Sequence, residues 1–307
     1  MTFLITGGAG SVGRHLTLSL LEKGHRVRVL DRDTKALRGV VNERLQLMEA
    51  AVEDRSCMKE AVEGVEVIIH LAWSFSENPL ALLDTDLKGH IILLEEAETA
   101  RISHLFYAST AVVYGKPLHL PVTEESPCLV EDARKPFYGI AKLMAEKLAL
   151  SFWKSRGLPV SIFRFWWSFG QDIGGKHLRE LISISRSGQT VFVPGNAGGS
   201  FLHLDDLAHA ILLAVKRPDT FGEIFNLSSL YLSWEDVGKM VIEVTASQAS
   251  LEVIAPRAWS GAQFLADSWE LSAEKAKRVF HYHPLYSFER SARMLKDAIT
   301  LCSRNTK

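Results

Sequence analysis

The stretch of sequence that decides the fold is TGGAGSVG, residues 6–13, in which Gly7, Gly10 and Gly13 recur at every third position. An apolar run over 2–6 precedes it, and a run with helical spacing over 11–23 follows it. Glycines allow a tight turn and let the backbone approach a pyrophosphate closely, while the helix N-terminus offers free N–H groups. The stretch therefore predicts a dinucleotide-binding loop between the first strand and the first helix.

An acidic residue completes this pattern. Asp31 directly follows the next predicted strand, 26–30, and there its carboxylate can accept hydrogen bonds from the adenosine ribose hydroxyls. The same charge repels the additional phosphate of NADP, although Arg32 follows directly and can offset part of that repulsion. We therefore expect NAD as the cofactor, with NADP as the less favoured alternative.

The alternation of short apolar runs with helical stretches extends over about the first 165 residues, which is typical of βαβ units and a parallel sheet. Within these residues a long helical stretch is predicted over about 79–101. After them the pattern loosens, with a turn-rich stretch over 194–200, a helix over 205–216 and a strand over 223–227. Ser233 with Asp236 resembles a capping box for the next helix. We predict an α/β fold with a doubly wound parallel, Rossmann-type sheet and a smaller C-terminal substrate-binding lobe. Residues 1–165 should form the dinucleotide-binding domain, with 201–228 returning to it, and 166–200 and 229–307 should form the lobe.

Composition excludes several classes of protein. The 307 residues are 47% hydrophobic, and 35 Lys and Arg balance 36 Asp and Glu, so no basic excess points to a nucleic-acid partner. No apolar run approaches the ~18–20 residues of a membrane span, and no leader with a basic start and an apolar core is visible. The three cysteines lack metal-ligand spacing. We expect a cytoplasmic protein that uses a small-molecule substrate and has no membrane, nucleic-acid or metal partner.

Candidate catalytic residues lie between two of the predicted strands, 104–109 and 160–166. Tyr138 and Lys142 lie four residues apart in a helix that Pro136 can open, so they share one face. An adjacent ammonium favours the phenolate of a tyrosine, which proton exchange with an alcohol requires. Ser109 and Thr110 add hydroxyl groups at the end of the preceding predicted strand. The combination indicates an enzyme that exchanges a proton with an alcohol or ketone oxygen.

These residues resemble those of the extended short-chain dehydrogenase/reductase family, which includes sugar-nucleotide epimerases and dehydratases. The resemblance covers nearly the whole chain and includes HLA at 70–72, YASTAVVYG at 107–115, Arg164, FLHLDD at 201–206 and FNL at 225–227. We assign Arg164 to packing between the two lobes.

The resemblance also implies roles for individual residues. Thr110 should hydrogen-bond the reacting oxygen, Tyr138 should be the acid/base, and Lys142 should lower the pKa of Tyr138 and hold the nicotinamide ribose. The chain is expected to form a homodimer. With the glycine loop, the predicted cofactor-binding residues are Gly7, Gly10, Ser11, Val12, Gly13, Asp31, Arg32, Val52, Leu71, Ala72, Tyr138 and Lys142.

At two positions this sequence lacks the residues with which sugar-nucleotide enzymes of the family usually bind their substrate. Trp167 stands where sugar-nucleotide enzymes usually place an asparagine, and Gly199 stands where they usually place an arginine that holds the diphosphate. Two phosphate charges are costly to bury without charge-assisted partners. We expect Trp73, Thr110 and Trp167 to contact the substrate, because they follow strands at the carboxyl edge of the sheet, where this topology binds ligands. The site should therefore select against a nucleoside diphosphate.

The predicted function is NAD-dependent hydride transfer at a secondary alcohol or ketone carbon. We expect a dehydrogenase/reductase or an epimerase that acts on a non-nucleotide substrate. One alternative is a UDP-sugar 4-epimerase. A second is a catalytically idle NAD-binding sensor or scaffold, which the joint presence of Thr110, Tyr138 and Lys142 disfavours.

Overall fold

The computed structural model describes residues 1–171, 173–261 and 265–305. Its strands are β1 Thr2–Thr6, β2 Arg26–Asp31, β3 Leu45–Glu49, β4 Val67–His70, β5 His104–Ala108, β6 Val160–Arg164, β7 Trp167–Phe169, β8 Val191–Pro194, β9 Gly198–His203, β10 Glu223–Asn226, β11 Leu230–Ser233, β12 Leu251–Ile254 and β13 Ser268–Trp269. Its α-helices are α1 Ser11–Glu22, α2 Arg55–Val62, α3 Pro79–Ala81, α4 Lys88–Thr99, α5 Pro136–Arg156, α6 Lys176–Arg186, α7 Leu204–Ala214, α8 Trp234–Thr245, α9 Glu274–Phe280 and α10 Phe288–Asn305.

Seven parallel strands form the large sheet, in the order β10-β6-β5-β4-β1-β2-β3. From β1 the chain first builds outward through β2 and β3, and it then continues on the other side of β1 with β4. This reversal opens a crevice at the carboxyl ends of β1 and β4, the usual ligand position in such a sheet. The predicted doubly wound parallel sheet is confirmed.

Helices cover both faces of the large sheet. Because side chains alternate along a strand, Phe3 and Ile5 of β1 join a core with α1 and α7, whereas Leu4 joins a core with α4 and α5. All three β1 side chains are fully buried. The sheet is therefore a rigid support for the loops at its carboxyl edge.

The smaller lobe has its own core. A second sheet has the order β11-β9-β13, with β7 paired to β9, and β8 pairs with β12. Helices α6, α8 and α10 pack on it around Ile182, Trp234 and Leu295. A capping box at Ser233 and Asp236 starts α8, as the sequence predicts.

Two local predictions are wrong. Residues 198–200, predicted as part of a turn, belong to β9, where they pair antiparallel with β11. The helix predicted over 79–101 is also divided, because a π-helical segment, Leu82–Leu87, separates α3 from α4. Asp86 lies in this segment, and π-helical turns are common at functional sites.

None of the helices in the described part of the chain is both long and apolar enough to cross a membrane.

Candidate active site

The glycine loop packs backbone against backbone. Gly7 has a φ of +70°, and a Cβ atom there would lie 2.7 Å from the Ala72 nitrogen. A Cβ atom on Gly13 would lie 2.2 Å from the Gly7 oxygen. Gly10, the N-cap of α1, has no side chain to cap the helix, and the first turn contains no acidic residue. The first N–H groups of α1 are therefore suited to phosphate oxygens.

Asp31 is held against this loop from the end of β2. One of its carboxylate oxygens accepts a hydrogen bond from the Ala9 backbone N–H at 3.0 Å, and the other accepts one from Asp33 N–H at 3.3 Å. Arg32 lines the same cavity. These residues fit the phosphate and ribose groups of a dinucleotide.

A cavity of about 620 Å³ runs from the glycine loop across the crevice to α5. Every residue predicted to bind cofactor or substrate lines it, namely Gly7, Gly10, Ser11, Val12, Gly13, Asp31, Arg32, Val52, Leu71, Ala72, Trp73, Thr110, Tyr138, Lys142 and Trp167. The structure thus brings together side chains from widely separated segments of the chain.

Thr110, Tyr138 and Lys142 lie together and are at least nine-tenths buried. The Thr110 hydroxyl lies close enough to the Tyr138 phenol to lower the pKa of that phenol. The Lys142 ammonium donates a hydrogen bond to the Ala108 carbonyl at 2.8 Å and lies 4.1 Å from the centre of a Trp73 ring. A substrate oxygen placed at Tyr138 would therefore also reach Thr110.

Burial dominates the acid–base properties of this group. It raises the pKa of Tyr138 well above the ordinary value of 10.0, and the nearby Thr110 hydroxyl opposes this shift. Burial also lowers the pKa of Lys142 to about 7, against the opposing carboxylates of Asp86 and Glu146. The resemblance implies that Lys142 lowers the pKa of Tyr138, but in this arrangement burial outweighs any such effect and keeps the phenol protonated.

A buried ion pair beneath the site fixes the strand ends. Arg164 on β6 donates to both carboxylate oxygens of Glu146 on α5, at 2.9 and 2.5 Å, and Ser109 donates to the same carboxylate. The sequence assigns Arg164 to packing between the lobes, and the structure adds an ion pair whose partner lies on a helix of the large domain. The pair anchors the residue that precedes Thr110 to α5.

The sequence places Phe75 after a strand at the carboxyl edge of the sheet, where this topology binds ligands, and the structure puts its ring over Tyr138. Its ring stacks on Tyr138 with centroids 5.5 Å apart and planes at 19°. Phe75 has a φ of +55°, which is uncommon for a bulky side chain, and 62% of it is exposed. Its position after β4 is the only sequence signal that could have indicated this contact.

Tryptophan rings fill the positions where the family resemblance leads us to expect polar groups. A Cβ atom on Gly199 would lie 2.0 Å from an atom of the Trp166 ring, and one on Gly175 would lie 2.4 Å from the Trp167 ring. Trp167 is held in place because its indole N–H donates to the Gly174 carbonyl at 2.8 Å. No side chain fits at position 199 unless Trp166 moves.

A second cavity of about 410 Å³ adjoins the first and shares Phe75, Thr110, Tyr138, Trp166 and Trp167 with it. Tyr138 and Thr110 therefore stand where the two cavities meet. Among the described residues, no group of three or more His, Cys, Asp or Glu side chains could hold a metal ion.

Comparison with known proteins places these features in context. The model of the NAD dependent epimerase/dehydratase family matches residues 3–228. A UDP-glucose 4-epimerase of Corynebacterium glutamicum is 29% identical over 310 residues, which cover 92% of this chain and 91% of the relative. Another, from Halalkalibacterium halodurans, is 26% identical over 93% of this chain and 91% of its own length.

Solved structures share the fold. The Thermotoga maritima UDP-glucose 4-epimerase, determined with UDP-glucose, matches with a TM-score of 0.79 at 23% identity, over 98% of this chain and 99% of that one. A short-chain dehydrogenase/reductase superfamily protein from Agrobacterium tumefaciens, determined with bound NAD, matches with a TM-score of 0.80 at 21% identity, over 99% and 97%.

Proposed function

The chain belongs to the NAD-dependent epimerase/dehydratase family, and from that premise we propose that it transfers a hydride between NAD and a secondary alcohol or ketone carbon, with Tyr138 exchanging the proton. The family resemblance predicted from the sequence is confirmed, and the cofactor is NAD. The observation that carries the proposal is the position of Tyr138 and Thr110 at the meeting point of the two cavities.

Each part of the first cavity has a role in this proposal. The N–H groups at the start of α1 bind the pyrophosphate, Asp31 binds the adenosine ribose, and Lys142 binds the nicotinamide ribose. When bound, NAD supplies the nicotinamide carbon that accepts the hydride from an alcohol carbon or returns it to a ketone carbon.

Side chains of the protein transfer the proton. In the reducing direction the buried Tyr138 phenol donates its proton to the ketone oxygen, while Thr110 hydrogen-bonds the same oxygen. In the oxidising direction Tyr138 must first be a phenolate, which a protonated Lys142 one helical turn away stabilises. An epimerase uses both directions in succession, whereas a dehydrogenase/reductase uses one.

We propose a non-nucleotide substrate first, because of the contact between Gly199 and Trp166. The space next to position 199 holds an indole ring, so the arginine that would pair with a diphosphate is absent and cannot be accommodated without movement. An indole offers one N–H and a large apolar face, which suits an apolar substrate better than a dianion.

A UDP-sugar 4-epimerase is the second candidate, and the names of the relatives favour it over the first. Under this alternative the diphosphate needs cations other than one at position 199. Lys176, Lys135 and Arg134 line the second cavity and would take that role under this alternative.

Two measurements on the NAD-loaded protein separate these candidates. Interconversion of UDP-glucose and UDP-galactose, with micromolar binding of UDP in calorimetry, establishes the epimerase and rejects the non-nucleotide proposal. NADH formation or consumption with non-nucleotide alcohols and ketones, together with millimolar or weaker binding of UDP, supports the first candidate. A protein that binds NAD but turns over none of these compounds fits the idle sensor or scaffold.

A further inference from the structure

The second cavity has aromatic walls on the side away from the glycine loop. Trp166, Trp167, Trp269 and Phe75 line it beside Tyr138. Trp166 stacks on Trp269 with centroids 6.2 Å apart and planes at 13°, and Trp167 stacks on Phe201 at 5.8 Å and 25°. Flat rings held by stacking form a wall that suits a flat apolar ligand.

These walls are fixed before any ligand binds. Gly199 and Gly175 have no side chains and therefore leave room for the rings of Trp166 and Trp167. The Trp167 indole N–H donates a hydrogen bond to the Gly174 carbonyl. Fixed side chains lose little conformational entropy when a ligand binds. The volume of about 410 Å³ lies in the usual range of about 300–1,000 Å³ for small-molecule pockets.

The rim of the same cavity is basic. Arg134, Lys135, Lys176 and His177 line it, whereas no Asp or Glu does so among the residues that the structure describes. The nearest carboxylate shown for Lys176 and His177 is that of Glu180, at 3.6 and 3.0 Å, which offsets part of their charge. Lys135 lies 5.9 Å from the centre of the Tyr138 ring, so the basic rim begins next to the reacting position.

We propose that the second cavity selects a flat, apolar secondary alcohol or ketone that carries an anionic group, a carboxylate or a phosphate, at the end away from the reacting carbon. The inference rests on the proposed hydride transfer and deepens it. The flat body lies between the tryptophan rings, the reacting oxygen meets Tyr138 and Thr110, and the anion meets Lys176 and Arg134. In oxidation the alcohol C–H bond breaks, the hydride passes to NAD, the hydroxyl proton passes to the Tyr138 phenolate, and a ketone forms.

The first test measures binding, independently of turnover. Calorimetry on the NAD-loaded protein compares 6-acetyl-2-naphthoate, its neutral amide and UDP. The naphthoate should bind about tenfold or more tightly than the amide, which is the scale of one charge-assisted contact. UDP should bind more weakly than the naphthoate. Equal binding of the naphthoate and the amide, or tighter binding of UDP, overturns the proposal.

Matched variants locate the contacts. Lys176→Gln should weaken binding of the naphthoate and leave the amide unchanged, whereas Arg179→Gln, an exposed position on the same helix outside both cavities, should change neither. Trp167→Ala should weaken both compounds, with the exposed Phe192→Ala as control. If Trp167→Ala does not fold, Trp167→Phe keeps a smaller ring and should give a smaller loss of the same kind. If a folded Trp167 variant binds the naphthoate and the amide as tightly as the unmodified protein does, the assignment of Trp167 to the ligand-binding wall is overturned.

Turnover separates this inference from the proposed function. If the naphthoate binds as expected but no alcohol or ketone is turned over, the proposed hydride transfer fails and the assignment of the cavity stands. If UDP-sugars are turned over and the naphthoate does not bind, hydride transfer stands and the assignment of the cavity fails.

Discussion

The glycines in the cofactor half of the candidate site, around the glycine loop, and those in its substrate half, around the tryptophans, contact different kinds of group. At the cofactor half, a side chain on Gly7 or Gly13 would meet backbone atoms of Ala72 or Gly7. At the substrate half, a side chain on Gly175 or Gly199 would meet the ring of Trp167 or Trp166. The first pair lets backbone pack directly on backbone, and the second makes room for the protein's own indole rings. A glycine therefore indicates its function only once its neighbour is known.

The two halves also differ in how well they should tolerate amino-acid substitutions. Backbone atoms around Gly7 and Gly13 belong to a strand end and a helix start and cannot move without distorting the large sheet. An indole ring is a side chain, which mutation can replace without moving the backbone. We therefore expect the cofactor half to fail on substitution and the substrate half to be open to redesign.

The largest expected effect lies at the junction of the halves. Tyr138→Phe should lower turnover by about 10²–10⁴-fold, the usual contribution of a general acid–base group, and leave NAD binding unchanged. The measurement is the steady-state rate on an accepted substrate, together with NAD titration. Tyr231→Phe, which removes a hydroxyl bonded to Ser268 in the smaller lobe, is the control. A rate close to that of the unmodified enzyme would mean that another residue transfers the proton.

The next effect tests the cofactor half. Gly13→Ala should weaken NAD binding by about 10- to 100-fold, because overpacking typically costs about 1–3 kcal/mol and the added Cβ atom would lie 2.2 Å from the Gly7 oxygen. Titration with NAD measures it. Gly39→Ala serves as the matched control, since an added Cβ atom there meets nothing within 4 Å. Equal affinities for the two variants would refute the close packing of the loop.

A third prediction tests whether the indole ring is what keeps an arginine out of the substrate half. Gly199→Arg should lower the free energy of unfolding by about 1–3 kcal/mol, because the side chain overlaps Trp166. Combining it with Trp166→Ala should recover part of that loss and create binding of UDP. Chemical denaturation and calorimetry measure the two effects. A single Gly199→Arg variant that is fully stable and binds UDP would show that Trp166 is not the obstacle.

The smallest expected effect concerns cofactor choice. Asp31→Ala should reduce the preference for NAD over NADP by about tenfold, since it removes both the partner of the ribose hydroxyls and the charge that repels a phosphate. Competition between NAD and NADP measures the ratio. Asp33→Ala is the control, because that carboxylate pairs with Lys35 and does not line the cavity. Tighter binding of NADP by the unmodified protein would mean that Arg32 decides the preference.

Much of the cofactor half follows from the sequence by itself. The spacing of glycines after β1, the acidic residue at the end of β2 and the Tyr138–Lys142 pair are all local patterns. Local patterns can be predicted because strand alternation, helical periodicity and helix capping involve residues only a few positions apart. The same reason explains why the capping box of α8 was found and the π-helical segment before α4 was not, since the sequence carries no comparable marker for it.

Tertiary structure alone decided the substrate half. Trp166 and Gly199 are 33 positions apart, and they meet because β7, which directly follows Trp166, pairs with β9. Arg164 and Glu146 likewise meet because α5 packs on β6, and Phe75 reaches Tyr138 only because the loop after β4 folds over α5. The sequence shows that these residues exist, but their partners depend on the angles and distances at which distant elements pack. The aromatic wall and its basic rim are products of that packing.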